Sequence, residues 1–348
     1  MKIFLLLLII TSTQVIFAQQ SYYDDVDITL TGQNLYFELQ NKIDIDNNTF
    51  NYGDMRDAFL VTDEDPNNNN NVLLIYGYND NDSNCTTDRT RDKVAFGGNN
   101  CEYNREHVFA KSLANPDMGS VSNSTTGIGA DPHNLRSSDV QSNNNRGSKK
   151  FGSGSGNAGD VGSGNWYPGD EWKGDVARMM MYMYTRYGDR CLPSLVGVGS
   201  TQGSTEMLQM FIQWNVDDPV SIYEDQRNPY TESNYGNRNP FIDNPYLATV
   251  IWGGPQAEDR WGILSTTDNE FANVLIYPNP ASETLWVENT TSFVPKNYVL
   301  YDISGRRIIQ KNINSSRTSL DVSNLSSGLY ILELTSKNKK IIKKITVQ

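Results

Sequence analysis

The spacing of apolar residues changes along the chain and predicts both helices and strands. Over Lys173–Arg190, apolar side chains recur at three- and four-residue intervals, which is typical of a helix with one buried face. A similar pattern predicts a second helix over Thr205–Val216, whereas the apolar run Leu73–Tyr78 has the length of a strand. Because these helices and strands do not follow a regular βαβ rhythm, the pattern predicts an α+β fold.

The last part of the chain has a different pattern. From Val274 to Gln348, apolar and polar residues alternate between Asn, Gly, Ser and Pro, which predicts a small antiparallel β-sandwich. This segment has ten Lys/Arg and five Asp/Glu, a charge of +5; since the whole chain has −12, the residues before it have −17. We therefore expect a main domain over residues 19–255, a linker over 256–273 and a β domain over 274–348.

The first residues have the composition of a secretory signal. Met1–Ala18 contains one Lys, then an apolar run, then small residues near its end. The apolar run is too short for a bilayer-spanning helix, which needs about 20 residues, and no other stretch is apolar enough to span a membrane. The sequence therefore predicts an exported protein.

Three cysteines are too few and too widely separated for a thiolate zinc site. In an oxidising compartment, we expect Cys85 and Cys101 to form a disulfide and Cys191 to remain a buried free thiol.

The acidic, Asn-rich segment Asp63–Asn71 lacks the ligand spacing of an EF-hand calcium loop, so we expect a solvated, mobile loop there.

The chain has only two histidines, His107 and His133, and polar groups suited to a metal site accompany them. Glu106 precedes His107, and three amides, Asn143, Asn144 and Asn145, follow His133. Carboxylate and amide oxygens suit Mg²⁺, and a nearby imidazole can activate water. This combination points to a metal-assisted phosphodiesterase.

A site built from these residues requires a particular local fold. Neighbouring residues on a strand point to opposite faces, so Glu106 and His107 can converge only where the strand bends or at its end. A second strand over Ala130–Leu135 and a helix beginning near Ser138 would bring Asn143 back to the same place.

Six separated segments resemble the endonuclease I family of secreted and periplasmic nucleases, whose site is a ββα-metal (His-Me) finger. They are YNREHVFAKS (Tyr103–Ser112), DPHNL (Asp131–Leu135), NNNRGSKKFG (Asn143–Gly152), KGDVARMMMYMYTRY (Lys173–Tyr187), WNVDDPVS (Trp214–Ser221) and GNRNPFIDNP (Gly236–Pro245). The resemblance implies that His107 is the general base and that Glu106 and Asn143 hold Mg²⁺, with Mn²⁺ or Ca²⁺ as alternatives. The amide ligand is ambiguous by a residue, because Asn143, Asn144 and Asn145 are consecutive; aligning the segment back from Arg146 favours Asn143. The resemblance also implies cleavage of DNA, and often of RNA, with little sequence preference and with 5′-phosphate ends.

The other polar residues of these segments have proposed roles as well. Arg105, Arg146 and Arg238 are candidate substrate contacts, although a structural salt bridge is an equal alternative for Arg238. His133 and Asp131 are expected to fix a turn near the site.

The chain departs from the family in two ways. Ala110 stands where the family usually has Pro, and Val108–Ala130 contains Lys111 but no arginine, whereas the family often has a transition-state arginine there. Arg146 and Arg178 are alternative candidates for that role.

The β domain resembles the type A carboxy-terminal sorting domains of the type IX secretion system. The matching segments are YPNPA (Tyr277–Ala281), DISGR (Asp302–Arg306), LSSGLYIL (Leu325–Leu332) and KKIIKKITVQ (Lys339–Gln348). The resemblance implies an extracellular or surface-attached protein that uses the outer-membrane secretion machinery.

The negative charge of the main domain limits its affinity for nucleic acid, because backbone phosphates favour Lys/Arg surfaces. With Mg²⁺, a local basic patch would give weak, salt-sensitive binding; its members are Arg105, Lys111, Arg146, Lys149 and Lys150. Two alternatives remain at this point: a non-enzymatic, calcium-dependent surface or adhesion protein, and a phosphoesterase acting on small nucleotides.

Overall fold

The computed structural model describes residues 19–45, 49–263, 274–289, 297–313, 315, 317–336 and 339–348. It divides into two compact units, one up to Gly262 and one from Ile263 onward. The predicted signal and most of the predicted linker lie outside the described residues. Within the described part of the chain, no helix has the length and hydrophobicity to cross a membrane.

The first unit combines short strands with helices, as expected for an α+β fold. Its helices are α1 (Gly32–Ile43), α2 (Met55–Thr62), α3 (Val140–Arg146), α4 (Lys173–Tyr187), α5 (Pro193–Val196), α6 (Gln209–Asp217), α7 (Ile222–Asp225), α8 (Arg227–Asn234), α9 (Pro240–Asp243) and α10 (Tyr246–Trp252). Its strands are β1 (Glu64–Asp65), β2 (Asn68–Leu73), β3 (Thr90–Asp92), β4 (Tyr103–His107), β5 (Leu135–Asp139), β6 (Gly159–Val161) and β7 (Asn165–Tyr167).

Helix α4 is the centre of this unit and agrees with the helix predicted from its apolar spacing. Met180 and Met183 are buried, and the helix packs against α1, α6 and α9. It ends where Gly188 adopts a φ of 53°, a backbone conformation that favours glycine. The helix predicted over Thr205–Val216 is α6.

The segment Asp63–Asn71 is solvent-exposed over residues 66–70, as predicted, but it forms two strands, so the prediction of a loop is wrong. Strands β1 and β2 form an antiparallel hairpin here, and β3 extends it to a three-stranded sheet. Asp63 is fully buried, where it pairs with Arg136 and Arg227 and accepts hydrogen bonds from Ser137. The prediction failed because the arginines that neutralise Asp63 lie far from it in sequence.

Strands β4 and β5 pair antiparallel, with His107 opposite Leu135, and α3 follows β5 directly. The second strand therefore covers Leu135–Asp139 and begins where the predicted strand, Ala130–Leu135, was expected to end. The residues before β5 form short 3₁₀ turns instead, in which the Asp131 carboxylate accepts a hydrogen bond from the His133 amide. Helix α3 begins close to its predicted start, and the resulting β4–β5–α3 unit has the ββα order.

Two covalent and packing details complete the first unit. Cys85 and Cys101 form the expected disulfide, and Cys191 is a buried free thiol whose pKa burial raises to about 12. Ala257 and Arg260, which the prediction assigns to the linker, are buried in this unit, and Arg260 pairs with Asp225 at 2.7 Å.

The second unit is all β in its described residues, as its alternating pattern predicts. Its strands are β8 (Val274–Tyr277), β9 (Thr284–Asn289), β10 (Asn297–Asp302), β11 (Arg307–Asn312), β12 (Arg317–Asp321), β13 (Gly328–Ser336) and β14 (Lys339–Val347). They form an antiparallel sheet in the order β11-β10-β13-β14 and another in the order β12-β9-β8. Side chains of both sheets, such as Leu285, Leu300 and Leu332, form one buried core.

Candidate active site

A cavity of about 510 Å³ lies at the end of β4 and beside α3. Arg105, Glu106, His107, Lys111 and Asn143 all line it. Because β4 ends at His107, the cavity can receive both Glu106 and His107, although neighbouring strand residues point to opposite faces. The structure thus brings together the three residues predicted for metal binding and proton transfer.

The ring of His107 is held in one orientation. It is 6% exposed, it stacks on Tyr52 with ring centres 5.3 Å apart, and its Nε2 lies 2.8 Å from the Gly129 carbonyl oxygen. A carbonyl can only accept, so Nε2 carries the proton, and in the neutral ring Nδ1 is then the basic nitrogen. Burial lowers the pKa of His107 to about 4, so the ring is neutral near pH 7.

Glu106 is a buried carboxylate with two partners. It is 3% exposed, and its Oε1 accepts a hydrogen bond from the Tyr76 hydroxyl at 3.0 Å. The same oxygen lies 3.2 Å from Nη1 of Arg146. Burial raises the pKa of the Glu106 carboxyl to about 7, and the Arg146 charge and the Tyr76 hydrogen bond oppose that shift.

Asn143 reaches the cavity from α3. The Asp139 carboxylate caps this helix by accepting hydrogen bonds from the amides of Gln141 and Ser142. The Asn143 Nδ2 donates to Asn104 Oδ1 at 2.7 Å and lies 3.5 Å from the Arg105 carbonyl oxygen. Because Nδ2 of Asn143 points to β4, Oδ1 of the same side chain is the atom that could bind a metal ion.

The donor set fits Mg²⁺ better than a structural metal. Mg²⁺ commonly takes one or two protein oxygens and completes its shell with water and substrate phosphate, whereas Ca²⁺ takes six to eight oxygen ligands. Glu106 and Asn143 supply one carboxylate and one amide at the same cavity. Among the described residues, no group of three or more His, Cys, Asp or Glu could hold a metal ion.

Two of the predicted substrate contacts have other roles. Arg146 is fully buried; it pairs with Glu106 and donates to the carbonyl oxygens of His107 and Val108, so its side chain cannot reach a substrate. Arg238 pairs with Asp243 and with Glu232, which agrees with the alternative of a structural salt bridge.

The remaining cations of the site are Arg105 and Lys111. Arg105 lies 3.8 Å above the Tyr52 ring and donates to the Tyr52 carbonyl oxygen. Lys111 lines the cavity near enough to His107 to lower its pKa. Arg178, the other candidate for a transition-state cation, is buried in a two-bond pair with Glu224.

His133 and Asp131 lie in a buried network away from this cavity. His133 Nε2 is 3.0 Å from Asn237 Oδ1, and Asp131 accepts hydrogen bonds from Tyr182, Arg186 and Tyr187. Both side chains are at most 2% exposed. Burial lowers the pKa of His133 to about 4, which agrees with a neutral ring that fixes the turn.

Sequence reasoning missed two tyrosines of the site. Tyr76 holds Glu106, and Tyr52 supports His107, yet neither lies in a segment with a recognisable motif. Lys111 did have a signal, because it is the one Lys or Arg between His107 and Asp131 in the sequence.

Two family profiles match the sequence of the chain. Residues 31–246 match the sequence profile of the family described as Endonuclease I. Residues 275–348 match the profile described as Secretion system C-terminal sorting domain. Both resemblances predicted from the sequence are thereby confirmed.

Two curated proteins are similar to the chain. An extracellular ribonuclease of Bacillus subtilis (strain 168) is 39% identical over 247 residues, which cover 67% of this chain and 78% of that protein. An extracellular ribonuclease of Bacillus amyloliquefaciens is 40% identical over 214 residues, which cover 58% and 68%. A solved structure of the CBM51-2 and INT domains from Clostridium perfringens ZmpB has 18% identity, covers 20% of this chain and 16% of that one, and has a TM-score of 0.16, too low to bear on the fold.

Proposed function

Because the chain belongs to the Endonuclease I family and carries a secretion-system sorting domain, we propose that this exported nuclease is a Mg²⁺-dependent endonuclease for both DNA and RNA. It would cut without sequence preference and leave 5′-phosphate ends. The observation that carries the proposal is the shared cavity of Glu106, His107 and Asn143 at the end of β4. The family match favours this enzyme over the calcium-dependent adhesion protein.

In the proposed site, Glu106 Oε2 and Asn143 Oδ1 are the atoms that would hold the metal. Oε1 of Glu106 is already engaged by Tyr76 and Arg146, which orient the carboxylate and compensate part of its charge. When bound, Mg²⁺ would neutralise charge on the phosphate and hold the leaving oxygen.

His107 would act as the general base. Its Nε2 proton is committed to the Gly129 carbonyl, so Nδ1 is the nitrogen that can accept a proton from the attacking water. The stacked Tyr52 ring prevents the imidazole from turning away. A neutral His107 is therefore ready to accept a proton at the pH of most extracellular media.

Lys111 and Arg105 are the cations we assign to the substrate phosphate. Both line the cavity, whereas Arg146 and Arg178 are buried in other ion pairs. Lys111 would stabilise the negative charge that develops on the phosphate oxygens in the transition state. The Nη1 of Arg105 donates a hydrogen bond to the Tyr52 carbonyl oxygen. The rest of its guanidinium group would bind the neighbouring phosphate of the nucleic-acid backbone.

The choice of polymer follows from the chemistry. A site that activates water needs no ribose 2′-hydroxyl, so it can act on DNA as well as RNA. The two curated relatives are named extracellular ribonucleases, which supports the inclusion of RNA.

We expect the purified protein with Mg²⁺ to nick supercoiled plasmid and to degrade single-stranded RNA. Agarose gels would follow the plasmid, and labelled oligonucleotides would report the ends of the fragments. Fragments from both polymers should require phosphatase before a kinase can label them, because attack by water with the 3′ oxygen as the leaving group breaks the P–O3′ bond and leaves a 5′-phosphate and a 3′-hydroxyl. Cleavage of RNA alone, with cyclic 2′,3′-phosphate ends, would instead mean attack by the ribose hydroxyl and would contradict the proposal.

The sorting domain should be dispensable for catalysis. A chain truncated after Gly262 retains the whole first unit, so we expect it to nick plasmid at the rate of the full chain. In the producing cell, the same truncation should not be exported, as immunoblots of medium and cells would measure.

A shorter truncation provides the matched control. Ending the chain at Gly254 also removes the buried Ala257 and Arg260, with its pair to Asp225, so its melting temperature should fall. If the chain ending at Gly262 remained folded but lost nuclease activity, the β domain would be part of the catalytic unit.

A further inference from the structure

A second cavity, of about 730 Å³, lies beside the candidate active site. Ser142, Asn144 and Asn145 of α3 line it, whereas Asn143 of the same helix lines the active-site cavity. The two cavities therefore flank α3, and a helix with its side chains is roughly 10–12 Å across. Parts of one nucleic-acid strand could occupy both cavities at once.

The second cavity has no excess of positive charge. Lys149 and Asp160 are the charged residues among those that line it, and they form an ion pair with each other. The active-site cavity is lined by two cations, Arg105 and Lys111, and by two acidic residues, Glu106 and Asp117. Among the described residues neither of these cations forms an ion pair with a carboxylate, whereas Lys149 does. The second cavity thus suits an uncharged polar group better than a phosphate.

Aromatic and amide side chains give this cavity the chemistry of a base-binding site. Tyr78 is 37% exposed, so part of its ring is open for stacking. Trp166 is almost buried, and the ammonium of Lys149 lies 5.5 Å from the centre of its ring, so Trp166 forms the wall of the cavity and leaves stacking to Tyr78. The exposed amide of Asn144 can both donate and accept. A nucleobase offers a flat face for stacking and hydrogen-bonding edges for such groups.

Tyr76 connects the two cavities. It lines the second cavity, and its hydroxyl donates to Glu106 in the first. Its φ of 74° is rare for a residue with a bulky side chain, so the surrounding structure must hold it there. A group bound in the second cavity would therefore lie against the residue that orients Glu106.

We propose that the second cavity is a base subsite, which receives one unstacked nucleobase of the strand whose phosphodiester lies in the active-site cavity. The proposal rests on the proposed nuclease function. It implies that unpaired bases contribute to binding, so that flexible single strands bind better than a regular duplex of the same length.

Binding of two fluorescent single strands of equal length tests the subsite: a DNA strand and the same strand with all bases removed. Anisotropy in EDTA gives the affinities without metal-dependent cleavage. The Tyr78→Ala change should weaken binding of the normal strand by roughly 5- to 150-fold, the range for loss of a stacking side chain. It should leave the affinity for the abasic strand unchanged, because the phosphates are the same.

Two further variants serve as controls. Tyr78→Phe keeps the ring and should bind both strands like the wild type, and Phe37→Ala removes an exposed ring on α1 that lines neither cavity. Equal weakening of both strands by Tyr78→Ala, or no weakening of either, would overturn the subsite. Failure of the wild type to cut nucleic acid with Mg²⁺ would overturn the nuclease proposal separately, because the subsite is measured by binding alone.

Discussion

Replacing His107 by alanine is expected to lower the rate of plasmid nicking by roughly 10²–10⁴-fold, the range for loss of a general base. The change removes Nδ1, the nitrogen that we assign to proton acceptance, but leaves the pair of Glu106 and Arg146 in place. Metal and DNA binding should therefore persist. Single-turnover nicking at saturating protein measures the effect without interference from product release.

His133→Ala is the matched control, because it removes the other buried histidine of the chain. Its Nε2 lies against Asn237 Oδ1, and leaving that buried oxygen without this partner should cost about 1–3 kcal/mol of unfolding free energy. We expect a lower melting temperature and, for the folded fraction, nearly normal nicking. Near-normal turnover in His107→Ala together with lost turnover in a stable His133→Ala would mean that the roles of the two histidines are reversed.

Part of the site could be predicted because its residues belong to contiguous motifs. Glu106 and His107 are adjacent, and the distance in sequence to Asn143 allows one strand and the start of a helix between them. The choice of Asn143 among three asparagines came from the distance to Arg146. The structure adds a geometric reason, since Asn143 alone of the three lines the cavity with Glu106.

The roles of the arginines could not be predicted, because their partners are distant in sequence. Arg178 pairs with Glu224, Arg227 with Asp63, and Arg146 with Glu106. Each of these guanidinium groups is at most 2% exposed. Sequence composition counts them as available cations, whereas burial removes them from any contact with phosphate.

Because these basic side chains are buried or paired, they cannot bind phosphate, which agrees with the weak nucleic-acid binding expected from the negative charge of the domain. Of the basic patch predicted near the site, Arg146 is buried, Lys149 pairs with Asp160, and Lys150 donates to the Ser194 carbonyl. Arg105 and Lys111 remain at the cavity. With so few phosphate contacts on a negatively charged domain, substrate binding should be weak, and its salt dependence should be shallower than that of a protein with an intact basic patch, because each neutralised phosphate adds to the salt slope.

The fold was predictable where packing follows local periodicity and was not where it depends on distant partners. The spacing of apolar residues predicted helix α4 correctly, and the alternation of apolar and polar residues predicted the strands of the β domain correctly. The hairpin at Asp63 was missed, because the asparagines of β2 occupy its exposed half and only Val72 and Leu73 are buried. A polar strand of this kind has no hydrophobic signal.

Removal of divalent metal tests the central claim most directly, because the claim is that Glu106 and Asn143 hold an exchangeable Mg²⁺ at the cavity of His107. Plasmid nicking would be measured after exhaustive chelation with EDTA and again during titration with Mg²⁺ or Mn²⁺. Asn143→Ala, which lacks one of two protein ligands, should need more Mg²⁺ than the wild type to reach half of its own maximal rate. The account predicts no nicking in EDTA and full recovery on addition of Mg²⁺; full nicking by the chelated protein would contradict it.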